Sequence, residues 1–229
     1  GNIGYQLPGK IPIRTRNHRG LLPVEGNTDK FEWLGYVPFD ELPRVLNPDR
    51  GYVSSANQAI APQEYYEQLV QRLGSRYGST SEYIFSYFWA YGYRGQRINE
   101  LLDETNSHSF ETFQEMQGDN LLISARDIMP FLQDLEFDDT QLDETLAWLG
   151  NWNYRMDPDS AQAALYANFW NHLVRNTFDD QLDGITEPDG GTQNMWALAQ
   201  LVEDPSNVWW DDIDTPPIER RDDILEQSF

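Results

Sequence analysis

From residue 61 onward the apolar residues recur at helical spacing, and this most constrains what the chain can fold into. In the longest such pattern, about Asp159–Asp180, Ala161, Leu165, Phe169 and Leu173 stand four residues apart, and Trp170 and Val174 widen the stripe. A stripe of that length has to be buried against other helices. The same spacing predicts helices near 62–73, where Pro62 suits a first turn and Gly74 a stop, and over Arg94–Glu104, with Ile98, Leu101 and Leu102 facing a core. Further helices are expected over Ser109–Gln117, Asp119–Met129, Asp139–Leu149 and Thr192–Glu203, with a last one beginning about Pro217–Glu219. Pro130 should kink or restart the one before it. Glu82–Tyr91 (EYIFSYFWAY) fits helix or strand by pattern and is read as helix, and Arg72–Ser81 before it as an exposed excursion.

Residues 1–60 are punctuated differently. Asn2–Leu7 alternates loosely and ends at the Pro8-Gly9 turn signal, so a short strand is expected there; Ile11–Arg14 is held extended by Pro12. Trp33, Tyr36, Pro38 and Phe39 form a cluster expected to pack, and Leu46–Gly51 is a dense turn signal. The expected fold class is α+β, mainly α: a strand and loop segment over 1–60, then a multi-helix domain over 61–229. Strand edges left unpaired in 1–60 would favour a homodimer.

Charge excludes some partners. With 16 Lys and Arg against 38 Asp and Glu the net charge is −22, which argues against nucleic acid and against anionic membrane surfaces. Lysine occurs only at Lys10 and Lys30, a composition that fits a salt-adapted protein or an ordinary acidic one. Arg14, Arg16, His18 and Arg19 make the one basic island, where His18 reads as a solvated loop residue. His172, beside the long stripe, reads as an interior or boundary imidazole. The chain has no cysteine, so disulfides and thiolate metal sites are excluded, and no apolar run approaches the roughly 20 residues of a membrane-spanning helix.

Most catalytic signatures are absent: there is no GxSxG elbow, HExxH, phosphate-binding loop or GxGxxG after a strand. Asp179-x-Gln181-x-Asp183-Gly184 begins like a calcium-binding loop, but position twelve is Gly190 where a bidentate Glu is needed, so a solvated acidic turn is expected. Ser54 and Ser55 have no histidine within local reach. Asn57, which follows Ser54-Ser55-Ala56, would by itself be an ordinary turn residue.

Its surroundings change that reading. GNIGY at 1–5, PVEG at 23–26, EWLGYVPFDELPRVLNPDRGYVSSAN at 32–57 and GYRGQRINELL at 92–102 stand in an order and spacing that resemble the β chain of the penicillin acylase (penicillin amidase) family. Gln117-x-Asp119 followed by Ala125 and Pro130 resembles a further family block and is read as structural. The resemblance implies an αββα N-terminal-nucleophile hydrolase as parent fold, with this chain an internal piece of the β chain. It also implies an oxyanion-hole amide at Asn57 and a supporting guanidinium at Arg94. It raises a structural calcium in the parent, with the Gly20 carbonyl and Glu82 as candidate ligands, and no other cofactor. A periplasmic or extracellular location is implied as well.

Two functions follow from different classes. In one, the chain is part of an amidohydrolase that cleaves a side-chain amide through an acyl-enzyme. Its nucleophile lies outside these residues, its partners are the α chain and the rest of the β chain, and the chain alone is inactive. In the other, it is a non-catalytic helical module that packs or binds an aromatic ligand between its many Trp and Tyr.

Overall fold

The computed structural model describes residues 1–82, 84–86 and 88–229, and the chain divides into two units, Gly1–Gly95 and Gln96–Phe229. The first contains four short strands, β1 (Gly4–Gln6), β2 (Pro12–Ile13), β3 (Gly35–Tyr36) and β4 (Arg44–Leu46), and one long helix, α1 (Gln63–Tyr77). Strand β1 pairs antiparallel with β4, Tyr5 opposite Val45, and β2 pairs antiparallel with β3, Ile13 opposite Gly35. Each ladder has two strands among the described residues, which leaves outer edges open to pairing.

Helix α1 presents Leu69 and Leu73, both fully buried, to Ile13, Val37, Leu42 and Ile84. Burying a side chain of that size contributes about 1.5–3 kcal/mol. The strands and α1 therefore share one core, and the compact units divide at 95/96 although the change from strand to helix falls near residue 60.

Several expectations are corrected in this unit. Gly74 does not stop α1; the helix runs on to Tyr77 and ends at Gly78, whose φ of 84° suits glycine and whose N–H donates to the Gly74 carbonyl. Arg72–Ser81 is not an exposed excursion either. Its first half is helix, Thr80 and Ser81 are buried, Thr80 bridges to Thr15, and Ser81 N–H donates to the Arg14 carbonyl at 2.9 Å. The described residues of 82–91 are not helical; Tyr83 and Tyr87, which fall in that expected helix, lie outside the described residues. Trp33, Tyr36 and Phe39 are exposed rather than packed, with Trp33 set edge-on to Tyr36.

In the second unit the described helices are the continuation of α2 (Tyr93–Asp103), then α3 (Phe110–Gln117), α4 (Ala125–Gln133), α5 (Thr140–Leu149), α6 (Ala161–Leu182), α7 (Thr192–Leu201) and α8 (Arg221–Ser228). Their starts follow the side chains available. The Ser109 hydroxyl and Thr112 cap each other at α3, Asp139 accepts from Gln141 N–H at α5, and Ser160 accepts from Ala163 N–H at α6. Helix α6 buries Tyr166, Phe169, Leu173, Val174, Thr177 and Phe178, and the Trp152 and Trp210 side chains are enclosed in the same core.

The face of α6 is rotated from the expected stripe: Ala161 is exposed, Leu165 is half-buried, and His172 is exposed, not interior. Asp179 and Asp180 lie within α6 rather than in a turn, and the Asp180 carboxylate accepts from Ile213 N–H at 3.0 Å. In α2, Ile98 is exposed and Leu101 and Leu102 are half-buried. Residues 119–124 are not helical, because Leu121 bridges to Arg155 and Leu122 N–H donates to the Tyr154 carbonyl; α4 starts later and runs through Pro130.

That bridge is braced by charge. Arg97 meets Asp119 with both fork positions, Nε to Oδ1 at 2.8 Å and a terminal nitrogen to Oδ2 at 2.9 Å, and Arg155 reaches Oδ2 at 3.4 Å. Hydrogen bonding from Arg97 holds the Asp119 carboxyl below its ordinary value and raises the Arg97 guanidinium in turn. Asp119 thus ties α2 to the segment that precedes α4.

Candidate functional site

The turn after β4 delivers the chain into a sharply bent segment. Gly51 (φ 77°) and Asn47 (φ 47°) take the left-handed conformation, and Asn57 takes it again at φ 65°. Asparagine tolerates this geometry better than most residues with a Cβ. Three backbone anchors then fix the bend: Ala90 N–H donates to the Asn57 carbonyl at 2.9 Å, Ile60 N–H to the Tyr66 hydroxyl at 3.2 Å, and Ala56 N–H to the Gln58 Oε1 at 2.6 Å. Burial pushes the Tyr66 phenol above its ordinary value, so it stays protonated around neutral pH.

Arg94 comes from the first turn of α2. One of its terminal nitrogens donates to Asn57 Oδ1 at 2.6 Å and to the Ala56 carbonyl at 3.1 Å. The next residue, Gly95, is buried because the Gln58 side chain lies across it; a Cβ there would come within 2.9 Å of Gln58 Cδ. One short stretch of helix thereby holds the bend twice, through the Arg94 guanidinium and through the surface that Gly95 leaves bare.

The orientation of the Asn57 amide follows from this. A guanidinium has only donors, so the oxygen of the amide faces Arg94 and the NH₂ points the other way. Among the described residues no hydrogen bond engages that nitrogen. Both side chains are solvent-exposed in this chain. An amide fixed by its oxygen, with two N–H groups directed outward from a rigid bend, is suited to binding an oxygen that carries or acquires negative charge.

The sequence pairs Asn57 with Arg94, and the structure brings the two together. Gln58 and Gly95 have the same local importance and were not singled out. A glycine directly after the arginine at a helix start was the available signal. The candidate calcium ligands are placed otherwise. Glu82 lies 3.6 Å from the Arg19 guanidinium, and a Cβ on Gly20 would meet the Arg14 guanidinium at 3.0 Å. Among the described residues no three His, Asp or Glu side chains converge, and Glu82 with the Gly20 carbonyl alone falls short of the roughly six to eight oxygens calcium takes.

A family profile described as penicillin amidase matches residues 1–229. The chain belongs to the penicillin amidase family. Among its relatives, an acyl-homoserine lactone acylase QuiP of Pseudomonas putida is 28% identical over 249 residues, covering 100% of this chain and 28% of that protein. The penicillin G acylase of Escherichia coli is 30% identical over 137 residues, 58% of this chain and 14% of that protein. The thermostable penicillin G acylase from Alcaligenes faecalis superposes with a TM-score of 0.65 at 20% identity, covering 100% of this chain and 43% of that one, which shows a shared fold. The chain thus spans well under a third of the length of the curated relatives named here.

Membership of the penicillin amidase family and the mainly helical α+β architecture agree with the four sequence blocks. The third and fourth blocks end on or contain the residues that meet, Asn57 and Arg94.

Proposed function

We propose that the chain supplies the oxyanion-stabilising part of an amide-hydrolysing site. Asn57 is the donor, and Arg94 is a positioning residue that acts through it. What carries this reading is the 2.6 Å contact between Arg94 and Asn57 Oδ1, which leaves the amide nitrogen directed outward. The attacking group comes from polypeptide outside these 229 residues, as an N-terminal nucleophile whose own α-amine is the base.

In that site the nucleophile's oxygen or sulfur bonds to the carbonyl carbon of the substrate amide, and its proton passes to the α-amine. The former carbonyl oxygen becomes anionic and accepts from Asn57 Nδ2. As the C–N bond breaks, the α-amine returns the proton to the departing nitrogen and an acyl-enzyme remains. Water then adds to the acyl carbon by the same route and releases the acid. Asn57 contributes most when charge is greatest, because its orientation is set beforehand and costs no reorganisation.

The substrates are small amides with an apolar or aromatic acyl group, a class suggested by relatives named as an acyl-homoserine lactone acylase and a penicillin G acylase. The partners are the remaining parts of the same precursor, and the open edges of the β1–β4 and β2–β3 ladders are where further strands would join. The chain alone is inactive.

The test uses the family-length protein. Asn57→Ala is expected to lower turnover of a phenylacetyl or long-chain acyl amide about 10²–10³-fold while chain maturation proceeds normally. Turnover within a few-fold of the parent would remove Asn57 from the site.

A further inference from the structure

Helix α3 is held in place by contacts local to its first turn. The Ser109 hydroxyl accepts from Thr112 N–H at 3.3 Å, the Thr112 hydroxyl accepts from Ser109 N–H at 2.9 Å, and the His108 ring lies against Phe113 with centroids 5.5 Å apart. A capping box joined to a contact from the residue before the cap to the fourth helical residue fixes how the chain enters a helix. His108 Nε2 in turn donates to the Leu102 carbonyl at 3.0 Å, which ties the cap to the last turn of α2.

The apolar side of this helix is turned outward. Phe110, Phe113 and Met116 follow one another at intervals of three along one face, and Glu111 and Glu115 stand on the other. No residue of α3 is buried; Phe110 is 80% exposed and Phe113 48%. Among the described residues, none of the three apolar side chains belongs to the core around α6 or to the side chains packed against it. With 8 residues, α3 is shorter than the ~12–15 that an isolated helix needs in water. A short helix capped in place, with two aromatic rings a turn apart on its open side, has the form of an anchor for an apolar groove.

We propose that this face of α3 docks into polypeptide of the same precursor outside residues 1–229, in an apolar groove rimmed by lysine or arginine. The inference rests on the reading above, in which the chain works as one part of a longer protein. Length favours that occupant: the chain covers 28% of the Pseudomonas putida acylase and 43% of the Alcaligenes faecalis acylase chain, so most of a protein of that size would lie outside it. Charge favours it over a second copy. At a net charge of −22, with Glu111 and Glu115 exposed on the same short helix, two copies repel one another, whereas a basic rim meets those carboxylates. Phe110 and Phe113 are the buried anchors of the interface, and the two glutamates stand in its polar rim.

The test is hydroxyl-radical footprinting read by mass spectrometry, on the family-length protein and on the 229-residue chain at low and high concentration. Phe110 and Phe113 should be oxidised rapidly in the 229-residue chain at either concentration. In the family-length protein both should react about tenfold more slowly, as rings do when they pass from open surface to the core of an interface. Equal rates in the two proteins would overturn the proposal. Protection that grows in the 229-residue chain as its concentration rises would overturn it in favour of a second copy. Glu111→Gln combined with Glu115→Lys leaves the capping box intact and puts a cation in the last turn, where a helix accepts one. In the family-length protein this pair should raise oxidation of both rings several-fold; protection left unchanged would overturn the basic rim, and with it the proposal as stated. Footprinting reads burial and not turnover, so an Asn57→Ala variant with full turnover would end the oxyanion reading and leave this result standing.

Discussion

The Gln58 side chain lies across Gly95, 2.9 Å from where a Cβ on that glycine would stand, and donates nothing to it: its Oε1 accepts instead from Ala56 N–H at 2.6 Å. The bend that carries Asn57 is therefore closed by a glutamine that can reach its place only because residue 95 has no side chain. Gly95→Ala should push Gln58 aside and break that bond. The gain of alanine over glycine inside a helix, about 0.5–1 kcal/mol, offsets a lost hydrogen bond worth about 1 kcal/mol. Melting of the chain should hence change little, while turnover by the family-length protein should fall several-fold. A variant that melts and turns over like the parent would show that the bend does not depend on Gln58.

Gly74 is the opposite case. It sits in the interior of α1 with ordinary helical geometry, and a Cβ there would find only Thr80 Oγ1, at 3.9 Å. Gly74→Ala should stabilise the chain by about 0.5–1 kcal/mol, read as a higher urea midpoint with unchanged slope. A lower midpoint would mean that the space beside Thr80 has to stay clear in the folded chain.

The Arg97–Asp119 pair makes stability depend on pH. Asp119 is nearly buried and its carboxyl is held below the ordinary range by Arg97, so the folded chain binds its proton more weakly than the unfolded chain. The stabilisation is complete above the unfolded value, roughly pH 4, and is lost as pH falls through the lowered folded value. Asp119→Asn should cost about 1.5–3 kcal/mol at pH 7, the range for hydrogen bonds to charged groups, and the gap to the parent should close in acid. A constant gap from pH 7 to pH 2 would contradict this assignment.

What the sequence disclosed, and what it withheld, divides along physical lines. Helix α6 was plain because its apolar residues repeat over many turns, yet its buried face is turned toward Tyr166, Thr177 and Phe178, since neighbouring helices choose among the apolar positions on offer. The end of α1 was misplaced because Gly74 is helical here and the left-handed residue that a stop requires is Gly78. The aromatic run at 82–91 has a composition that fits either regular structure, and among its described residues tertiary contacts, such as Ile84 in the core with Leu69 and Leu73, override local preference. The meeting of Asn57 with Arg94 was legible only through the four blocks, because neither residue type marks chemistry by itself. Gln58 was invisible because its part depends on Gly95, which is 37 positions away and has no side chain with which to advertise the contact.

The most direct test of the central claim, that Arg94 works by orienting the amide of Asn57, is a double-mutant cycle on kcat in the family-length protein with Asn57→Ala, Arg94→Gln and the two together. Asn57→Ala should cost about 10²–10³-fold, Arg94→Gln somewhat less, and the double variant should turn over no more slowly than Asn57→Ala alone, because an orienting group has nothing left to orient. Losses that multiply in the double variant would contradict the account and give Arg94 a role independent of Asn57.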